Sequence, residues 1–217
     1  MWKKLTLLLL LTVQLFSSII DDFINKQNCD QIIDKQVFTI CYSYKYKGAL
    51  FVAYELDGNL VNKKNIKKRP RFYSEKNIPI KYRSKSKDYT KSGYDRGHLA
   101  NDGSFDYDIK ALRKTYSMAN IIPQAPKVNR YTWIKAERYE RLIATKLGKV
   151  TVINGVIYSK HPKRIGKNKV AVPIGYWKML INTKEHYKKC FYYKNFIDTN
   201  TKQDKLNQHL IDCSTLH

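Results

Sequence analysis

Apolar residues along this chain fall into short alternating or continuous runs, interrupted once by a long stretch of helical period. Gln36 to Tyr44 and Ala49 to Leu56 alternate or run apolar around Lys45-Tyr46-Lys47-Gly48, a pattern that predicts a β-hairpin. Val150 to Tyr158, Lys169 to Ile174, Trp177 to Ile181 and Cys190 to Phe196 read as further strands. Between the early and late strands, Asn129 to Leu147 contains no Gly or Pro, and Trp133, Ala136, Ile143 and Leu147 lie on one stripe that Gly148 terminates. Pro123 and Pro126 keep the approach extended or turned, so this helix should begin near Asn129 or Arg130. Lys202 to Cys213 is expected to close the chain as a helix, and Lys63 to Arg71 to form a loop. Strands on either side of one long helix predict an α+β class, with an antiparallel sheet carrying the helix on one face.

The start of the chain obeys a different rule. Trp2-Lys3-Lys4 is a short positive region, Leu5 to Phe16 is largely apolar and Ser17-Ser18 is small, so residues 1–18 read as an export signal. That apolar core is short for a membrane span, so no stable span is expected once it is cleaved. Residues 19–217 then form a single domain, a length sufficient for a sizeable core. An exported, periplasmic or secreted protein meets oxidising conditions, and four cysteines, Cys29, Cys41, Cys190 and Cys213, permit two disulfides. Proximity in sequence favours Cys29 with Cys41 and Cys190 with Cys213; two other connectivities are possible.

Charge narrows the partner. Lys and Arg number 41 against 18 Asp and Glu, a formal charge of +23, and removing Lys3 and Lys4 with the signal still leaves +21. Local basic runs at Lys63 to Arg71, Lys81 to Lys91 and Lys160 to Lys169 are interleaved with many of the 17 tyrosines. Such a field attracts polyanions, nucleic-acid backbone first among them, although any single lysine of the set is more simply a solvated charge. The tyrosines in strands read as packing residues, and His161, His186, His209 and His217 lack partners at metal-ligand spacing.

The chemistry concentrates in Asp95-Arg96-Gly97-His98 and the forty-odd residues downstream of it. An imidazole near its ordinary pKa can take a proton from water, and Arg96 offers a planar fork to phosphate oxygens. Asn120-Ile121-Ile122-Pro123-Gln124 leads to Asn129, and eight residues later comes Glu137, with Arg141 one further turn along. An amide oxygen, a carboxylate and a guanidinium on one side of a helix suit a hard divalent cation that prefers oxygen ligands and keeps several waters.

The run from Asp95 to Arg141 resembles the DNA/RNA non-specific endonuclease family of ββα-metal (His-Me finger) nucleases. The matching residues are Asp95 to His98, Ala119-Asn120-Ile121-Ile122-Pro123-Gln124, and Asn129 with Trp133 and Glu137 at their spacings. The resemblance implies a Mg²⁺-dependent endonuclease, with Mn²⁺ or another divalent cation as substitute, that cuts DNA and RNA without sequence specificity and leaves 5′-phosphates. It further implies that His98 is the general base, Asn129 the direct metal ligand and Glu137 a metal partner through water. Asn120 and Arg141 become supporting groups near the phosphate, Arg96 shapes or charges the site, and either Arg69 or Arg71 before Phe72 supplies an upstream phosphate-binding arginine. Arg130 stands where the family often has Gln, and Met118-Ala119 where Leu-Ser is common. The competing expectation is an exported nucleic-acid binding or DNA-uptake protein of the same fold without turnover.

Overall fold

A computed structural model describes residues 19–198 and 200–216. The export signal expected at residues 1–18 lies outside the described residues. Along the chain, β1 (Gln31–Asp34), β2 (Thr39–Ser43) and β3 (Gly48–Asp57) form an antiparallel meander, so the expected hairpin is present and gains an outer strand. The chain then leaves the sheet. It forms β4 (Asp95–His98), a short helix α1 (Ile109–Thr115), β5 (Ile121–Gln124), a π-helical turn (Val128–Trp133) and helix α2 (Ile134–Leu147). It re-enters through β6 (Lys149–Ile157), which pairs antiparallel with β3, so β4, β5 and α2 occupy one excursion between two central neighbouring strands.

After β6 comes a small hairpin of β7 (Arg164–Ile165) and β8 (Val170–Ala171), then β9 (Gly175–Asn182), β10 (Tyr187–Lys194) and β11 (Leu210–Ile211). Seven strands make one antiparallel sheet in the order β1-β2-β3-β6-β9-β10-β11. Two expected elements are corrected. Lys169 to Ile174 is not a sheet strand: only Val170 and Ala171 pair, and Pro173, which has no N–H to donate, ends the ladder. Lys202 to Cys213 is not a helix. It contains a 3₁₀ turn (Leu206–His209), and Leu210 and Ile211 instead take up the free edge of β10, where pairing and a disulfide override local preference.

Period-two alternation gives the sheet two faces. On the inner face Val52, Tyr54, Leu56, Val150, Val152, Tyr176 and Leu180 pack against α2 and its approach, with Trp133, Ala136 and Ala144 fully buried in the same cluster. Burial of side chains this size stabilises by about 1.5–3 kcal/mol each. Gly148 ends α2 at φ 81°, the left-handed conformation that glycine tolerates best. On the outer face Ala53, Ile153, Trp177, Met179 and Ile181 lie under Phe23 and Ile24 from the helical residues 19–23 and their sequel, with Leu216 packed alongside. Cys29–Cys41 and Cys190–Cys213 are the two disulfides, as proximity suggested, and both tie a chain end to this outer face.

Candidate active site

β4 and β5 pair with Asp95 opposite Gln124 and His98 opposite Ile121. Gly97 is dictated by its neighbour, since a Cβ there would stand 2.0 Å from the Gln124 side-chain oxygen. Alternation then sends Asp95 toward the helix and Arg96 and His98 to the opposite side. The His98 ring packs against both Phe72 and Tyr116, with centroids 5.6 and 4.9 Å away. Burial disfavours the imidazolium and holds the His98 pKa below its ordinary 6.5; the Asp102 carboxylate pulls upward and the Arg69 charge adds to the depression. Its Nε2 is buried and has no hydrogen-bond partner among the described residues.

Asn129 sits in the π-helical turn. Its Nδ2 donates to Asp95 Oδ2 at 3.0 Å, which orients the amide and leaves Oδ1 as the available donor atom. Arg130 closes on the same carboxylate at 2.8 and 2.7 Å. Burial opposes ionisation of Asp95, but the hydrogen bonds from Arg130 and Asn129 outweigh it and keep its pKa below the usual value. The wider turn also sets the phase of the helix. In a straight α-helix eight steps of about 100° would leave Glu137 about 80° round from Asn129. A π turn advances each residue by only roughly 80°, so four steps within it and four beyond total about 720–730°, two whole turns. Asn129 and Glu137 are thereby brought onto one line.

Burial raises the Glu137 carboxyl to about 8; Lys178 and Arg141 oppose this rise, while Glu140 and Asp102 reinforce it. The charge of Asp102 therefore reaches both Glu137 and His98, placing the turn after β4 between strand and helix. Arg141 is anchored there, its Nη1 donating to Asn101 Oδ1 at 2.8 Å. Arg69 pairs with Asp102 at 3.4 Å and with Asp106 at 3.1 Å, so of the two upstream candidates Arg69 is the one held at the site, while the side chain of Arg71 is exposed.

Two other expected site residues turn out to be frame residues. Arg96 gives its Nε to Ser86 Oγ at 2.9 Å and its Nη2 to the Ser86 carbonyl at 2.8 Å, and its guanidinium lies 5.7 Å from both the Phe72 and Tyr89 rings. It ties β4 to the 3₁₀ turn at Ser86–Tyr89 rather than offering a fork to phosphate. Asn120 is fully buried, accepts from the Ala100 N–H and donates to the carbonyls of Ala100 and Thr115, all at 2.9 Å. A phosphate-side role is thus replaced by control of the backbone just beyond His98.

A buried hub escaped the motif spacing. Glu140 Oε1 accepts from Tyr54 at 2.8 Å, Asn101 at 2.6 Å and Ser104 at 2.8 Å, and Lys178 pairs with Oε2 while lying 4.9 Å over the Trp133 ring. Glu140 and Lys178 are both wholly buried. The sequence held a signal, because Glu140 lies four residues beyond Ala136 on the apolar stripe and Lys178 lies within a strand that otherwise reads as apolar.

Asn129 and Glu137 are an oxygen donor set for a hard cation. Among the described residues no three or more His, Cys, Asp or Glu cluster as a metal cage. Such donors fit an ion held chiefly through its own waters.

The sequence profile of the family described as DNA/RNA non-specific endonuclease matches residues 18–215. Human mitochondrial Endonuclease G is 29% identical over 161 residues, covering 70% of this chain and 54% of that protein. The mitochondrial nuclease of Saccharomyces cerevisiae is 28% identical over 127 residues, covering 58% and 39% respectively. The chain thus spans about half the length of the curated relatives it matches. A crystal structure of an EndoG/EndoGI complex superimposes with a TM-score of 0.81 at 22% identity, covering 91% of this chain and 87% of that one, so the fold is shared.

Proposed function

Because the chain belongs to the DNA/RNA non-specific endonuclease family, we propose that it hydrolyses phosphodiester bonds within DNA and RNA, without sequence preference and with a divalent cation, Mg²⁺ or in its place Mn²⁺. The observation that carries this reading is an amide oriented by Asp95 and a helical carboxylate in phase with it, with the Asp102 charge acting on both that carboxylate and His98, whose pKa burial lowers.

His98 has its Nε2 buried, so the other nitrogen is left to accept the proton of an attacking water. That water adds to phosphorus as the bond to the 3′ oxygen breaks, and the released fragment carries a 5′-phosphate. Asn129 would hold the cation directly and Glu137 through a water; when bound, the ion supplies Lewis-acid polarisation of the phosphate and charge stabilisation at the departing oxygen. Arg141, steadied by Asn101, and Arg69, held at the rim by Asp102 and Asp106, face the charge that develops on the phosphate. The Asp102 carboxylate keeps His98 from being depressed further and so preserves its basicity.

Export from the cytoplasm is part of the proposal, supported by the leader-like residues 1–18 and by two disulfides that require an oxidising compartment. No helix of the described residues is long and apolar enough to cross a membrane. The test uses plasmid and RNA with Mg²⁺ or with chelator. Cleavage confined to the metal arm is expected, and His98→Ala should lower its rate by about 10²–10⁴-fold with duplex affinity little changed. Intact substrate in every arm would leave only a nucleic-acid binding protein.

A further inference from the structure

One surface beside the site is strongly positive and uncompensated. The β7–β8 hairpin and the 3₁₀ turn at Ser86–Tyr89, with the residues flanking each, carry Lys87, Lys91, Lys160, Lys163, Lys167 and Lys169, all exposed. None of them takes part in an ion pair among the described residues. Between Ser84 and Tyr94 the sole acid is Asp88, and from Ser159 to Ile174 there is none. Asp88 is turned inward: it is 3% exposed and accepts from the Asn168 backbone and side chain at 2.9 to 3.0 Å.

The same contacts make the two basic segments one rigid plate. Gly166, at φ 64°, passes so close that a Cβ would lie 2.3 Å from Asp88. Arg164 donates to the carbonyls of Lys169 and Lys45, and the Ala171 N–H to the carbonyl of Tyr46, fixing the hairpin to the turn between β2 and β3. Lys163 lies 5.2 Å over the ring of Tyr94, the residue preceding Asp95. From Tyr94, His98 is four residue steps away, about 13 Å, or about four nucleotide steps along one nucleic-acid strand.

We propose that this plate grips the backbone phosphates of the duplex flanking the scissile bond, so that it acts on nucleic acid longer than the few nucleotides the catalytic groups can touch. A cluster of unpaired ammonium groups on a fixed scaffold releases counterions when it meets phosphates, and that is a gain available only to substrates that extend across it. The inference rests on the nuclease reading for its catalytic consequence, but binding tests it separately.

The variant is Lys87→Glu, Lys160→Glu, Lys163→Glu and Lys167→Glu together, with the four Lys→Arg replacements as control. In chelator, binding of a labelled 30-base-pair duplex should weaken at least about 100-fold, and the slope of log affinity against log salt should fall by about 3–4. The Arg control should restore both. With Mg²⁺, hydrolysis of bis(p-nitrophenyl) phosphate should stay within about twofold while duplex cleavage falls in step with affinity. An unchanged salt slope, or equal loss on the small diester and the duplex, overturns the proposal. A wild type that binds with the expected slope yet cleaves nothing would refute the nuclease reading and leave the plate standing.

Discussion

The two faces of the central sheet solve different problems. The inner face hides polar groups among its apolar ones: Lys178 and Asn154 point from it into the layer that holds the site, Lys178 reaching Glu140 and Asn154 donating to the Leu99 carbonyl at 3.1 Å. The outer face is almost purely apolar, and it is closed by two chain ends fastened through disulfides. Position is fixed on the inner side by hydrogen bonds that have direction, whereas the outer side relies on covalent links and area. The inner face should therefore be fragile in function as well as stability, and the outer face in stability alone.

The largest effect comes from breaking the inner pair. Lys178→Met leaves the Glu140 carboxylate buried without its counter-charge and is expected to destabilise by about 3–5 kcal/mol, read by urea unfolding. Adding Glu140→Gln should recover part of that loss while cleavage stays low, because a neutral amide oxygen holds Asn101, which in turn steadies Arg141, more weakly than the carboxylate does. Activity returning together with stability would deny the inner face its functional role.

On the outer face, replacing Cys190 and Cys213 by serine opens a link that spans 23 residues of chain. The expected loss is about 3 kcal/mol, seen as a lower melting temperature. Cleavage per folded molecule at room temperature should hold steady; a fall in parallel with stability would erase the contrast between the faces.

A further effect is pH-dependent. The folded Glu137 carboxyl is raised from 4.5 to about 8, so above pH 4.5 the unfolded chain releases a proton that the folded chain retains. Stability of the metal-free protein is then lost as pH rises from about 4.5 to about 8, and Glu137→Gln should not share this decline. Thermal melts in chelator on either side of that window should show the variant gaining on wild type only at the higher pH; a constant gap would refute the burial assignment. The smallest effect is expected for Arg130→Ala, whose side chain is 60% exposed, with a chemical-denaturation midpoint close to that of wild type. A larger cost would mean that Arg130 supports the Asp95–Asn129 contact more than a surface ion pair can.

Period and punctuation made the β2–β3 hairpin, the long helix with its Gly148 stop and the strands β6, β9 and β10 legible in the sequence, because each depends on neighbours within a few residues. Motif spacing made Asn129, Glu137 and Arg141 legible as residues of one helical stretch. What escaped depends on tertiary partners. Arg96 and Asn120 carry site-like chemistry but are consumed by Ser86 and by the Ala100 and Thr115 backbone, which no local pattern announces. Leu210 and Ile211 became a strand because β10 offered an edge, and Arg69 was separated from Arg71 only by the positions of Asp102 and Asp106. Glu140 and Lys178 were readable as charges in apolar stripes, yet their pairing across 38 positions was not.

The π-helical turn makes this stretch intolerant of changes in length. Deleting one residue between Val128 and Trp133 would relax the bulge into regular helix, which is the energetically ordinary outcome. Leu147 and the stripe beneath it would stay seated, but everything before the deletion would swing by the angle of one missing step. Asn129 would then point away from Asp95, so a shorter and better-wound protein should fold well and cut nothing.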